Sequence, residues 1–360
     1  MYILTLEINQ KCNLKCTYCY LGEKSGTEMK KEDAIEAINL GINQAKKHKD
    51  KKLVIDFVGG EASLDFNFIK DLVKYSQLKI KDEDIFLEFM TTTNAICLNK
   101  DMIDFYILNK FSLKVSIDGN KYVNDLNRIN YNGEGSYDNI VDKLNLLRYY
   151  EKNVNKFVQV TNVITKNNYR EYYNSLVHLT AELGFKFIDT AIDFCYEWNK
   201  EEYKIIEENI YKSFDYFIDC YKNNQGFIWS FINKSYKSLE QLKKTYSCGA
   251  GIVSLYVRNN GDYHTCPVSF NECSKLGDIN NGLDLEKIKF LKNIDSIENK
   301  ECKLCDIYEY CSAKGCVMGN YAKNRDLNTP IDMSCWMSKL KYKLIREKKD
   351  TINEIFATCI

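Results

Sequence analysis

Three cysteines crowd into the stretch Cys12-Asn13-Leu14-Lys15-Cys16-Thr17-Tyr18-Cys19, spaced Cys-x3-Cys-x2-Cys, directly after a short apolar run at Tyr2–Ile8. Thiolates bind soft metals and iron–sulfur clusters. With 15 cysteines in 360 residues, about 0.03 chance occurrences of a given three-cysteine spacing are expected, so accident is a weak explanation. A structural zinc site is closed by four ligands, and no fourth Cys or His lies nearby in sequence. Three thiolates suit a [4Fe–4S] cluster whose remaining iron stays open to a substrate or cofactor. The only histidines are His48, His178 and His264, so cysteine carries the inorganic chemistry. A second concentration begins at Cys248 and runs through Cys266, Cys273, Cys302, Cys305, Cys311, Cys316 and Cys335.

The elements that position these residues are legible as alternating patterns. Strand-like runs lie at 2–8, 53–58, 85–90, 112–117, 157–164 and 185–192. Helical periodicity separates them at 31–47, 66–77, 99–108, 137–150 and 169–183. Six βα units in series imply a parallel sheet, with active residues where strands run into the following loops. Residues 200–224 read as a helix, followed by a polar-aromatic linker to about 247 and a final Lys-rich helix from Met337 to about Phe356. Two domains are expected, 1–230 and 231–360.

Fifty basic residues balance fifty acidic ones, so no charged field recruits nucleic acid. The N-terminus lacks a signal-peptide pattern and no apolar run is long enough for a membrane span. The odd cysteine count argues against a disulfide framework. A cytoplasmic, reducing and low-oxygen setting is expected, with no membrane or nucleic-acid partner.

The cysteine loop resembles the signature of radical S-adenosylmethionine (SAM) enzymes, down to the aromatic Tyr18 ahead of the last cysteine. The resemblance implies that the fourth partner is SAM, chelating the open iron of a cluster held by Cys12, Cys16 and Cys19. Reductive cleavage of SAM then yields a 5′-deoxyadenosyl radical that takes a substrate hydrogen. Further motifs resemble the same family. "DFVGGEA" carries Gly59, Gly60 and Glu61, where glycines let backbone approach closely and a carboxylate can meet the SAM ammonium. "TTTNA" contributes Asn94 in a supporting role. In "VSIDGNKYVNDLNR", Ser116 and Arg128 are implied to hold the SAM carboxylate, and Asp118 is the implied catalytic proton acceptor. Asn120 and Asn124 stand where the family usually has Pro and often has His.

The C-terminal cysteines resemble the SPASM extension, which holds two auxiliary [4Fe–4S] clusters. The resemblance assigns Cys302, Cys305, Cys311 and Cys335 to one cluster and Cys248, Cys266 and Cys316 to the other, three clusters in all. Sulfatase maturases have an extra cysteine six residues beyond the first; here that position is Ser254. The second cluster is therefore expected to be open at one iron, or capped by Cys273. Cys97, Cys195, Cys220 and Cys359 fit no pattern.

The implied fold is α/β, a partial (β/α)6 barrel followed by a small cysteine-rich domain. The implied activity is oxidative modification of a peptide or protein, first of all maturation of a ribosomally made peptide by a thioether or other cross-link. Flavodoxin or ferredoxin is the expected reducing partner, and leader recognition is expected to be minimal or supplied by another protein. The alternatives are an anaerobic sulfatase maturase forming formylglycine, or a non-catalytic iron–sulfur or zinc protein.

Overall fold

The computed structural model describes residues 1–233, 248–294, 299–311 and 316–357. Six parallel strands form where alternation puts one apolar face toward covering helices: β1 (Tyr2–Asn9), β2 (Lys52–Gly59), β3 (Phe86–Thr93), β4 (Ser112–Ser116), β5 (Gln159–Ile164) and β6 (Phe187–Ile192). On β1, Leu4, Leu6 and Ile8 are fully buried, and Leu4 packs with Leu53 against Gly41 of the helix Lys31–Ala45. The opposite face is polar. Register places Thr5 beside Asp56, Asp56 beside Met90, and Met90 beside Ser112.

Among the described residues the sheet does not close on itself. A two-residue strand, β7 (Ile228–Trp229), continues it beyond β6, in what reads from sequence as linker. At the other edge β8 (Ser254–Val257) pairs parallel with β1, and β9 (Asp262–His264), β10 (Lys275–Asp278) and β11 (Gly282–Leu283) follow antiparallel. The order among the described residues is β11-β10-β9-β8-β1-β2-β3-β4-β5-β6-β7. The cysteine-rich C-terminal region thus grows from the strand that launches the first cysteine loop.

Three helical expectations are corrected. The segment expected at 137–150 is two helices, Tyr137–Val141 and Leu144–Val154. That at 169–183 passes from a 3₁₀ turn (Tyr169–Glu171) through an α-helical turn (Tyr172–Val177) into a π-turn at His178–Glu182. There Thr180 Oγ1 donates to the carbonyl of Leu176 at 2.8 Å, competing with the helical ladder. The last helix begins earlier, at Asp332, and stops at Glu347 before a second helix, Lys349–Ala357.

Candidate active site

The cysteine loop is moulded by backbone hydrogen bonds rather than by regular structure. Lys15 N donates to Ile129 O at 2.7 Å and Thr17 N to Asn127 O at 2.9 Å, while Cys19 N closes a turn onto Cys16 O at 3.2 Å. Asn127 also accepts from Thr17 Oγ1 at 2.8 Å. Leu14 is buried beneath the loop, and Cys12, Cys16 and Cys19 are half-buried. Burial pushes the Cys12 and Cys16 thiols up; Arg128 pulls Cys16 back down. No disulfide joins the described cysteines. Among the described residues no three His, Cys, Asp or Glu side chains converge as ligands of a single ion would.

Gly59 and Gly60 seat the base of this loop. A Cβ on Gly60 would lie 2.1 Å from Lys11 O, and one on Gly59, at φ +158°, 2.4 Å from Asn9 O. Gly60 N donates to Asn9 O at 3.0 Å and Glu61 N to Lys11 O at 2.7 Å. Close approach is therefore needed here by the protein's own backbone. The buried Glu61 carboxylate accepts from Ser63 Oγ (2.6 Å), Thr93 Oγ1 (2.8 Å) and Asn94 N (2.7 Å), locking the end of β2 to the end of β3. Asn94 Nδ2 reaches the cysteine loop at Asn13 Oδ1, 2.7 Å away. The Gly-Gly-Glu and Thr-Thr-Asn segments are thus one bonded unit under Cys12.

The second unit joins three expected residues. Tyr18 OH donates to Asp118, 2.9 and 2.8 Å from its two oxygens, and accepts from Arg128 Nη1 at 2.8 Å. Val163 N donates to Asp118 Oδ1 at 3.2 Å. Burial pushes the Asp118 carboxyl up to about 6, against the opposing pull of Arg128 and the Tyr18 hydrogen bond. Arg128 Nε is shielded from solvent and has no hydrogen-bond partner among the described residues. Ser116 ends β4, opposite Thr161 and half-buried. The two departures from the family pattern have structural work: Asn120 caps the short helix Lys121–Asp125, accepting from Val123 N at 3.0 Å, and buried Asn124 bonds Ser136 Oγ at 3.1 Å.

Several of the later cysteines act on one another electrostatically. Burial pushes the Cys266 thiol up to about 11, with Cys316 and Cys248 adding to the rise. Cys335 feels Cys311 and Cys305. Cys302 sits in the helix Lys300–Lys303, and Cys305 N donates to Cys302 O at 3.0 Å. Cys273 lies against Tyr321, whose hydroxyl its thiol pushes up. Cys359 falls outside the described residues.

Sequence reasoning missed several residues. Asn13 and Asn127 tie the loop to β3 and to the segment after β4, and Cys97 accepts from Asn13 Nδ2 at 3.4 Å. On the inner face, burial pushes Asp56 up to about 6, and its Oδ1 has no partner among the described residues. Glu7, fully buried, meets Arg258 of the segment after β8 at 3.5 Å. A carboxylate inside an otherwise apolar strand, as in "LVIDFV" or "LTLEIN", was the signal available for Asp56 and Glu7.

Residues 6–177 match the Radical SAM superfamily, and the chain carries a radical SAM domain. The chain is therefore an enzyme with a radical SAM domain, a domain family whose cofactors are a [4Fe–4S] cluster and SAM. An uncharacterized protein of Methanocaldococcus jannaschii is 28% identical over 301 residues, covering 83% of this chain and 93% of that one. The cysteine-type anaerobic sulfatase-maturating enzyme of Clostridium novyi is 23% identical over 343 residues, 89% of this chain and 88% of its own. The solved structure of anSMEcpe with bound AdoMet and Cp18Cys peptide superposes with a TM-score of 0.78 at 19% identity, covering 99% of both chains. Streptococcus suis SuiB bound to precursor peptide SuiA gives 0.62 at 18% identity, covering 93% of this chain and 75% of SuiB. Among the described residues no helix is long and apolar enough to cross a membrane.

Proposed function

We propose that this enzyme oxidatively modifies a ribosomally made peptide, forming a thioether or another cross-link. The observation that carries the reading is the β1–β8 pairing, with Ile3 beside Ser254 and Leu6 beside Val257. It sets the strand that follows Cys248 directly beside the strand that leads into Cys12, Cys16 and Cys19. Relatives named as sulfatase-maturating enzymes, and neighbours solved with bound peptides, support a peptide substrate.

In this reading residues 1–230 are the radical SAM domain and 231–360 carry the auxiliary clusters. Cys12, Cys16 and Cys19 hold the cluster that binds SAM. Cys302, Cys305, Cys311 and Cys335 hold one auxiliary cluster; Cys248, Cys266 and Cys316 hold the other. Bound together, cluster and SAM supply a radical able to take a hydrogen from the substrate, with an electron from a flavodoxin or ferredoxin. Arg128 fits the SAM carboxylate on its own geometry. Its Nη1 is engaged by Tyr18 while Nε has no partner among the described residues, which leaves the Nε–Nη2 edge for bidentate recognition. Ser116, at the end of the same strand unit, supports that carboxylate.

Sulfatase maturation is the second reading, favoured by the similarity to the Clostridium novyi enzyme over most of both chains. Against it stands Ser254, in the place where maturases carry a further cysteine. Mass spectrometry of candidate peptides incubated anaerobically with enzyme, SAM and dithionite separates the two. Loss of two hydrogens with sulfur retained supports cross-linking. Replacement of a cysteine sulfur by a carbonyl oxygen supports formylglycine formation.

A further inference from the structure

Asp118 invites a role as proton acceptor, but its surroundings argue for another. It is 1% exposed, and both its oxygens accept from Tyr18 while Oδ1 also accepts from Val163 N. Its own amide donates to Asn124 Oδ1 at 3.3 Å. The hydrogen-bond order is directional: the guanidinium donates to the phenol, and the phenol's single proton goes to the carboxylate. A tyrosine inside the Cys16–Cys19 turn is thereby held from two sides by residues that follow β4. Among the described side chains the carboxylate bonds Tyr18, and what it controls is the orientation of Tyr18 and, through it, of Arg128.

We infer that Asp118 is a positioning residue: through the Tyr18 hydroxyl it fixes the Arg128 guanidinium so that its Nε–Nη2 edge is presented to the carboxylate of SAM. Two independent features support it. Arg128 Nε is a buried donor with no partner among the described residues, and such donors are costly unless a ligand satisfies them. The backbone of Arg128 is pinned as well, its N donating to Asn124 O at 2.9 Å and its O accepting from Ser136 Oγ at 2.7 Å. The remaining freedom of the side chain lies in its outer torsions, which the Tyr18 hydrogen bond restrains. A guanidinium held in one orientation forfeits less entropy on binding a carboxylate.

The inference rests on the reading that Arg128 holds SAM. The test uses anaerobically reconstituted holoenzyme and the variants Tyr18→Phe, Asp118→Asn, Arg128→Met and Tyr18→Phe/Arg128→Met. Iron content, the SAM dissociation constant and the SAM-induced change in the electron paramagnetic resonance signal of the reduced cluster are measured for each. The expected result is about tenfold weaker SAM binding in Tyr18→Phe and in Asp118→Asn at unchanged iron content. Adding Tyr18→Phe to Arg128→Met is expected to cost nothing further, since the pair acts through one group. Equal penalties in the presence and absence of Arg128 would overturn the inference. So would unchanged SAM binding with abolished product formation, which marks a proton acceptor, or loss of iron in both Tyr18→Phe and Asp118→Asn, which marks a loop-folding contact. A wild type that bound no SAM would remove the functional reading itself, a result distinct from any of these.

Discussion

Replacing Gly60 by alanine adds one methyl group at the point where β2 meets the base of the cysteine loop. The new Cβ would stand 2.1 Å from Lys11 O and 2.6 Å from Lys11 C, whereas ordinary contacts begin near 3.4 Å. Relief requires the loop base and the glycine turn to separate by about 1.3 Å, the difference between 3.4 and 2.1. Such a displacement carries the 2.7 Å Glu61 N–Lys11 O and 3.0 Å Gly60 N–Asn9 O hydrogen bonds beyond bonding range. Two backbone hydrogen bonds at about 0.5–1.5 kcal/mol each and overpacking at about 1–3 kcal/mol give a local cost of about 2–6 kcal/mol. That cost falls on the segment carrying Cys12. The assay is iron and sulfide content with 5′-deoxyadenosine formation after anaerobic reconstitution. Gly133→Ala serves as the control, because nothing lies within 4 Å of its Cβ although its φ is +82°. Gly60→Ala is expected to lose about four irons and SAM cleavage together, and Gly133→Ala to keep both. A Gly60→Ala protein with full iron and normal SAM cleavage would refute the reasoning.

Two further outcomes follow from the inner face and the C-terminal thiols. Burial raises Asp56 to about 6 in the folded protein, so the folded state binds its proton more tightly than the unfolded chain. Stability is then lost as pH rises from about 4 to about 6, by at most about 3 kcal/mol. Asp56→Asn is expected to lack that loss and to melt higher than wild type at pH 7.5, with the gap narrowing toward pH 5; parallel melting curves across that range would contradict the assignment. Cys273, seated against Tyr321, is expected to be replaceable by serine without loss of iron. Cys266→Ser is expected to lose about four irons, and equal losses in the two variants would make Cys273 a ligand.

The βα framework was legible because its strands are apolar runs with a buried face, as Leu4, Leu6 and Ile8 illustrate. The corrections fall where no periodic signal exists. A two-residue strand such as Ile228–Trp229 is too short to show alternation, and Thr180 disturbs its helix through a side-chain bond that hydrophobic spacing does not encode. At the site, residue types and spacing singled out the cysteines, and the motifs that resemble the radical SAM family singled out Tyr18, Glu61, Asp118 and Arg128. They did not disclose that Glu61 serves Thr93 and Asn94, or that Gly60 makes room for Lys11, because those contacts join segments about 30 to 50 residues apart. The polar inner face was missed for a related reason: Asp56 and Glu7 matter through register with neighbouring strands.

Iron counting and assay for 5′-deoxyadenosine with SAM and dithionite test the central claim most directly, comparing wild type with Cys12→Ala/Cys16→Ala/Cys19→Ala. The account predicts about twelve irons falling to about eight, with deoxyadenosine lost. Two to four zinc atoms and no deoxyadenosine from either protein would contradict it, leaving a structural metalloprotein.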